Sequence, residues 1–328
     1  MKVRSIIVAA ILIIGVTACE KNEPSVTPSN LNQEFKVSPV ILDIDAILHQ
    51  SAFKSTDVYA WATAINEALL EHGLQLEKME TYGAEEQGIY VYFKETGNKQ
   101  LYSDYVPNDP RNYGGILVPY IIDNNEMTTS SGLDASQTIP AIISAMTTWD
   151  EVKCSQGLVI PNWGELGDIG LVQYLLGYGG NPWEFPGMIV HGGILPIGFF
   201  DEFSDGNGAN ILGVTFTFIW GSNEGGTFIP SDIDNNGKTD VALKEIYFND
   251  KFSWQVDGNH YDFETVVLHE VGHGLSQAHF GKAFVGKNGK LHFAPRALMN
   301  NAYSGVQREI TKTDIAGHCS NWAEWPNN

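Results

Sequence analysis

Basic residues are scarce in this sequence, and so are cysteines. There are 19 Lys and Arg against 39 Asp and Glu, which gives a formal net charge of −20 at pH 7. This balance argues against nucleic acid or an anionic membrane surface as a partner held by charge, and it is typical of a soluble surface outside the cell. The 3 cysteines allow one internal disulfide if one of them is used elsewhere. Apolar residues are plentiful at 43%, so we expect 328 residues to bury a substantial core.

The N-terminus carries a targeting segment. A short basic stretch precedes an apolar run over residues 6–16, which is too short to span a bilayer as a helix. Residues 16–19, Val-Thr-Ala-Cys, resemble a bacterial lipobox, whose cysteine is lipidated and becomes the mature N-terminus. We predict a signal peptide over residues 1–18, a lipid anchor at Cys19 and a place outside the cytoplasm, on the outer membrane or cell surface. The alternative is that Cys19 is part of an ordinary cleavage region, in which case the protein would be secreted without a lipid anchor.

Two regions follow the anchor. Residues 19–39 are polar, contain prolines and show no apolar period, so we predict a flexible tether. Residues 40–106 are predicted to form a small α+β unit, with a helix over 57–72 and a strand over 88–94. This unit fits a pro-segment, an interaction module or a structural extension of the main domain.

The main domain is predicted over residues 107–328, after a boundary loop that contains proline and asparagine. Its strands come mostly before the helix that carries the chemistry, which is typical of the α+β class. The predicted strands cover residues 116–122, 187–195, 211–220 and 241–248. The predicted helices cover residues 139–149, 263–277 and 311–322, the last with Thr311 as its N-cap.

The stretch that carries chemistry contains His269, Glu270 and His273 in the order His-Glu-x-x-His, followed by His279. Histidines four residues apart stand on one face of a helix and can direct two imidazoles at one metal ion. Glu270 can reach a metal-bound water as a general base, and His279 supplies a third ligand if the chain turns back after the helix. This spacing predicts a zinc site, because hydrolytic zinc uses three protein ligands and one open position. The alternative is an ordinary helix with surface or core histidines.

Residues 269–279 resemble the zinc-binding consensus of the metzincins and, among them, of the matrixin metalloproteases. Met299 with the two residues before it resembles their Met-turn, and Tyr303 stands where matrixins have a tyrosine. Asn301 stands where some metzincins have a ligand tyrosine, so the resemblance implies no fifth ligand. It implies a metzincin-like catalytic domain with a mixed sheet, an active-site helix, a Met-turn and a C-terminal helix, in which Glu270 drives zinc-dependent peptide hydrolysis.

The similarity extends over residues 110–325. Residues 245–254 resemble the strand before the active-site helix, and residues 188–196 resemble the edge strand that lines the substrate cleft. The resemblance implies that an extended peptide pairs with residues 188–196 by β-augmentation. It also implies that residues 280–298 shape the pocket just beyond the scissile bond.

Three features depart from the family pattern. Ser276 replaces a glycine at the turn that delivers His279, where positive φ costs a non-glycine residue about 1 kcal/mol, so we expect a strained turn or one reshaped with Gly274. Residues 20–110 contain no cysteine, so a cysteine-switch latency cannot operate. Thr313 replaces the first of two aspartates at the C-terminal helix, which puts activation through a new N-terminus in question.

A second pattern suggests a cation site. Asp232, Asp234, Asn236 and Asp240 place oxygen ligands at alternate positions around a turn glycine, as in a calcium loop. Position twelve is Leu243 instead of the bidentate glutamate. Calcium and a plain acidic Asx-turn therefore remain equal alternatives.

Two cysteines remain once Cys19 is assigned to lipid. Outside the cytoplasm Cys154 and Cys319 allow one internal pairing, and we predict that disulfide. Two unpaired buried thiols are the alternative.

These observations together predict a monomeric, extracytoplasmic zinc endopeptidase that acts on protein or peptide substrates. One alternative is a surface binding or adhesion lipoprotein that keeps a metzincin scaffold without proteolysis, and another is a hydrolase of a non-protein amide. Glu270 favours an enzyme, because a pure metal-binding scaffold needs no general base. Ser276 favours the scaffold alternative, because it departs from the family pattern beside a ligand.

Overall fold

The computed structural model describes residues 58–84, 91–92, 102–112, 115–181, 187–285, 287 and 291–327. The predicted signal peptide, the anchor at Cys19, the tether and most of the strand over 88–94 lie outside these residues. Within them, no helix has the length and apolar character needed to cross a membrane. The described residues belong to one compact unit.

The described residues contain both helices and strands. The helices are α1 (Val58–Leu69), α2 (Ala135–Asp150), α3 (Leu171–Leu176), α4 (Ile197–Asp201), α5 (Phe263–Gly274) and α6 (Lys312–Trp322). The strands are β1 (Leu74–Gly83), β2 (Val91–Tyr92), β3 (Ser103–Asp104), β4 (Tyr120–Asp123), β5 (Asn162–Leu166), β6 (Ile189–Leu195), β7 (Ile211–Glu224), β8 (Thr227–Pro230), β9 (Thr239–Asn249), β10 (Trp254–Gln255), β11 (Tyr261–Asp262), β12 (Lys282–Val285) and β13 (Leu291–Ala294).

One large mixed sheet organises the fold. Its main path runs β2-β1-β7-β9-β6-β4-β5, with β3 paired to β9 and β8 paired to β7. Strands β5, β4, β6 and β9 are parallel, whereas β7 is antiparallel to both of its long neighbours, β9 and β1. The predicted α+β class is therefore confirmed, with a mixed sheet and several helices.

Strand β6 lies in the interior of this sheet. It pairs with β9 on one side and with β4 on the other, and all of its residues are buried. The expectation that residues 188–196 form the edge strand of a substrate cleft is therefore wrong, because β6 has a paired strand on each side. Its apolar composition is that of a parallel strand covered on both faces.

The region before the main domain contributes to the same sheet. Strand β1 pairs with β7 from Leu74 opposite Trp220 to Gly83 opposite Ile211. Helix α1 precedes it and ends near Gly73, whose φ of 67° suits the turn into β1. The described part of residues 40–106 is thus continuous with the main domain in one sheet.

Two apolar clusters cover the two faces of the sheet. The site face is the cluster with helices α2, α5 and α6, and it includes Trp149, Val267, Leu268, Met299 and Trp322. The apolar face is the cluster with helices α1, α3 and α4, and it includes Trp61, Ile65, Phe199, Phe200 and Phe216. The histidines of the predicted metal site belong to α5 and to the chain just after it, so the site face positions them.

Local signals fix the ends of the longer helices. A capping box of Asp134 and Gln137 begins α2, four residues before the predicted start. Thr311 is the N-cap of α6, as predicted, and forms a capping box with Asp314. A disulfide joins Cys154, in a turn after α2, to Cys319 in α6 with a Cα–Cα distance of 5.6 Å.

Candidate metal centre

Helix α5 and the turn after it bring the three predicted histidines together. Asp262 caps the helix by accepting from the backbone N–H of Thr265, and His269 and His273 follow one turn apart. The Nε2 atom of His269 lies 3.1 Å from that of His273 and 3.1 Å from that of His279, and the third pair is 3.0 Å apart. Three nitrogens around a tetrahedral zinc ion are separated by about 3.3 Å, so this triangle has the size of a zinc site.

Backbone carbonyls hold two of these rings so that their Nε2 atoms face inward. The Nδ1 of His269 lies 2.7 Å from the carbonyl oxygen of Leu298, and the Nδ1 of His273 lies 2.7 Å from that of Gln277. A carbonyl can only accept, so each Nδ1 donates and each Nε2 presents a lone pair to the centre. Burial lowers the pKa of His269 and of His279 well below the usual value, with further lowering by the neighbouring imidazoles. Neutral lone pairs pointing at one centre repel one another unless a cation lies between them, so the donor set fits a metal ion.

Glu270 is wholly buried beside the triangle. Its Oε2 accepts from the hydroxyl of Thr215 at 2.6 Å, while its Oε1 has no hydrogen-bond partner among the described residues. Gly213 leaves room for this carboxyl, since a Cβ there would lie 2.8 Å from Oε1. Burial raises the pKa of Glu270 well above its usual value, and this direction is the one expected for a carboxyl that accepts a proton.

Met299 packs directly beneath the histidine helix. A Cβ at Gly272 would lie 2.4 Å from the sulfur of Met299, so the glycine between the histidines allows this close contact. Asp314, the N3 residue of α6, accepts from the backbone N–H groups of Leu298 and Met299 at 3.0 and 3.1 Å. The C-terminal helix therefore holds the turn that carries Met299.

Tyr303 points towards the start of α5. Its hydroxyl donates to the carbonyl of His260 at 2.8 Å and accepts from the N–H of Asp262 at 3.1 Å. Both hydrogen bonds brace the loop that leads into the N-cap of the helix.

The turn after α5 uses Ser276 in the left-handed conformation. Its φ is 62°, whereas Gly274 is still the last helical residue, so the turn is not reshaped with Gly274 as considered above. The hydroxyl of Ser276 accepts from Nζ of Lys244 at 2.9 Å, and the same ammonium donates to the carbonyl of His273 at 2.8 Å. Asn321 also donates to the carbonyl of Ser276 at 3.0 Å. These contacts hold the strained turn that brings His279 back to the other two histidines.

Strand β1 crosses the histidine triangle, an arrangement that sequence periodicity did not predict. The ring of Tyr82 stacks on the imidazole of His269, with centroids 3.7 Å apart and an interplanar angle of 11°. Oε2 of Glu80 lies 3.3 Å from Nδ1 of His273. Under this strand His269, Glu270 and His273 are 0% exposed, and His279 is half-buried.

The residues of the second predicted cation site lie close together. Carboxylate oxygens of Asp232, Asp234 and Asp240 lie within 4.8 Å of one another, and Nδ2 of Asn236 donates to Asp234 at 3.1 Å. Asp240 accepts from Arg111 at 2.6 Å and from Ser231, and Asp232 accepts from two backbone N–H groups of the loop. Donors of the chain itself satisfy these carboxylates, so the contacts are those of the Asx-turn alternative.

No protein-family model matches the chain, and no curated protein matches it significantly. The support for a function therefore comes from the residues of the site.

Proposed function

We propose that this protein is a zinc-dependent endopeptidase of the matrixin-like metzincin type. The observation that supports it best is one arrangement: three Nε2 atoms within 3.1 Å of one another next to a buried glutamate whose Oε1 has no partner among the described residues. A metal-binding scaffold without catalysis does not need that carboxyl, and leaving a buried carboxylate oxygen unpaired costs about 1–3 kcal/mol. The resemblance of residues 269–279 to the metzincin consensus supports the same proposal.

Each residue of the site has its own role in the proposed hydrolysis. His269, His273 and His279 would hold the zinc ion, which when bound lowers the pKa of a water molecule to about 7 and polarises a scissile carbonyl. Glu270 takes the proton of the attacking water on Oε1 and later passes it to the leaving amine. Thr215 fixes the other carboxylate oxygen, so Oε1 stays directed at the reacting atoms.

The protein's location is part of the proposal. The disulfide between Cys154 and Cys319 supports an oxidising compartment outside the cytoplasm. A lipid anchor at Cys19 would then hold the enzyme at the outer membrane or cell surface, where it would act as a monomer on protein or peptide substrates.

The experiment compares Glu270→Gln with Glu264→Gln, a half-buried glutamate on the same helix that pairs with Arg308. Both variants should bind one zinc ion per chain by elemental analysis. Glu270→Gln should lose peptide hydrolysis by about 100- to 10,000-fold, because a general base contributes that much, while Glu264→Gln keeps it. Products of a peptide library are followed by mass spectrometry. Hydrolysis by Glu270→Gln at an undiminished rate would refute the assignment.

A further inference from the structure

The C-terminal half of β1 lies above the metal centre in a slot between β7 and residues 301–303, and β2 pairs with it at Met79 and Glu80. On one side it pairs antiparallel with β7, where Tyr82 lies opposite Gly213 and Glu80 opposite Thr215. On the other side Gly83 donates to the carbonyl of Asn301 at 3.2 Å and accepts from the N–H of Tyr303 at 2.8 Å. The slot thus supplies backbone hydrogen bonds along the β7 edge of an extended chain and, at the position of Gly83, on its other edge as well.

The residues of β7 that line this slot are the ones that touch the proposed general base. Thr215 donates to Glu270, and Gly213 lies against its Oε1. A peptide that binds between β7 and residues 301–303 therefore passes directly over Glu270 and the histidines. The chain's own residues 80–84 take that place, and we call them the cover segment.

The two halves of β1 are anchored differently. Leu74, Leu76 and Met79 belong to the apolar face, packed with helix α1. Tyr82 and Ala84 belong to the site face, and the ring of Tyr82 fills the space between His269 and Tyr303. The first half can therefore stay bound to the core while the cover segment separates from the slot.

We propose that the cover segment is an internal occupant of the peptide-binding slot that keeps the metal centre closed, and that it must leave before a substrate enters. This inference rests on the proposed function for its substrate. An incoming peptide takes over the hydrogen bonds of Gly83 and places an aromatic side chain against His269, where Tyr82 lies now. The substrate class is thus an extended peptide with tyrosine or phenylalanine next to a small residue.

The first test follows access to zinc, a measurement that needs no hydrolysis. Zinc-loaded protein is mixed with the chelator dipicolinate, and the rate of zinc loss is recorded. Tyr82→Ala should lose zinc about 100-fold faster than the unchanged chain. Truncating a buried aromatic side chain should shift the equilibrium between the bound and the separated cover segment by about that factor. Tyr82→Phe keeps the stacked ring and should behave like the unchanged chain. Equal rates for Tyr82→Ala and the unchanged chain would overturn the proposal.

Met79→Ala is the matched control, since it truncates a buried side chain on the same strand but on the apolar face. It should leave the rate of zinc loss unchanged although it weakens the core. Thermal unfolding of both variants checks that each is folded. If Met79→Ala accelerated zinc loss as much as Tyr82→Ala, general destabilisation would explain both results and the proposal would fail.

Hydrogen exchange of the unchanged, metal-free chain provides a second test that depends on neither zinc nor hydrolysis. The amides of Gly83 and Ala84 donate to Asn301 and Asn210, so they exchange only when the cover segment leaves the slot. They should exchange about 100-fold faster than the amides of Leu76 and Met79. Exchange of all four at the rate of global unfolding would show that the cover segment never opens alone, and would refute the proposal. A chain that binds no zinc would instead refute the proposed function and leave this result standing.

Peptide binding tests the substrate class. In the double variant Tyr82→Ala, Glu270→Gln, a fluorescent peptide with the sequence of residues 78–84 should bind at least about tenfold more tightly than the same peptide with alanine in place of tyrosine. Equal binding of the two peptides would refute the aromatic preference.

Discussion

Two wholly buried glutamates lie on opposite faces of the sheet, and they differ in how many hydrogen bonds their carboxyl groups accept. On the apolar face, Glu245 accepts from the backbone N–H groups of Leu171 and Val172 at 2.6 and 2.9 Å and from the hydroxyl of Tyr247 at 2.9 Å. On the site face, Glu270 accepts from the hydroxyl of Thr215, and its Oε1 has no partner among the described residues. Burial raises the pKa of both carboxyls.

This difference separates a structural carboxylate from a reactive one. A buried carboxylate oxygen without a donor lowers stability, so a fold keeps one only where another use offsets that cost. Glu245 joins α3 to the sheet, and all of its hydrogen bonds serve the fold. The site face instead holds an unpaired carboxylate oxygen and three imidazoles directed at one point, which favour ligand binding and chemistry over stability.

The largest effect should come from breaking the apolar face. Phe216 is 0% exposed, and its ring contacts the rings of Trp61, Phe203 and Tyr247. Phe216→Ala should lower the free energy of unfolding by about 3–5 kcal/mol, measured by urea denaturation, because it leaves a cavity in an aromatic cluster. Zinc stoichiometry should stay the same, since the substituted side chain points away from the histidines.

Phe228→Ala is the control for this variant, as Phe228 lies half-buried in the short strand β8. Phe228→Ala should lower the free energy of unfolding by less than about 1 kcal/mol. A Phe216→Ala variant that lost its zinc while remaining folded would show that the two faces are coupled, and the comparison between them would no longer hold.

Local signals in the sequence predicted the parts of the site that lie close together in the chain. The spacing of His269 and His273 requires only a helix, and the N-cap of α6 requires only Thr311 and its neighbours. The resemblance to the metzincin pattern implied a turn with positive φ at Ser276, and the φ of Ser276 is 62°. Each of these features depends on interactions within a few residues.

Long-range pairing could not be predicted in the same way. Strand β1 has a polar sequence, and its partner β7 lies more than a hundred residues further along the chain, so nothing local indicates that Tyr82 reaches His269. The apolar run of β6 indicates a buried strand, but its neighbours in the sheet follow from topology. Residues 188–196 were therefore assigned to an edge that β6 does not have.

A smaller effect should distinguish the two glutamates by stability. In Glu245→Gln the amide NH2 would face a backbone N–H or the hydroxyl of Tyr247, so we expect a loss of about 1–3 kcal/mol in the free energy of unfolding. Glu270→Gln removes a buried carboxyl that has one donor, so it should unfold at the same denaturant concentration or a higher one. Both are measured without zinc at pH 7. Equal destabilisation by the two substitutions would remove the distinction.

The smallest effect concerns the turn that delivers His279. Ser276→Gly removes the strain of a serine in the left-handed conformation, which should stabilise the fold by about 1 kcal/mol. The same substitution removes a hydrogen-bond acceptor from the buried ammonium of Lys244, which should destabilise the fold by about 1–3 kcal/mol. The single substitution should therefore lower stability by about 1 kcal/mol.

In a Lys244→Met background no donor is left to satisfy, so Ser276→Gly should there be neutral or stabilising. Burial lowers the pKa of Lys244 to about 7, and the chain keeps this lysine next to the carbonyl of His273. A double-mutant cycle with urea denaturation gives the coupling, which should be about 1 kcal/mol or more. Additive effects would mean that the hydroxyl of Ser276 is not the reason a serine is tolerated at this turn. A coupling of the expected sign would show that the buried side chain of Lys244 helps to hold the backbone conformation from which His279 reaches the metal centre.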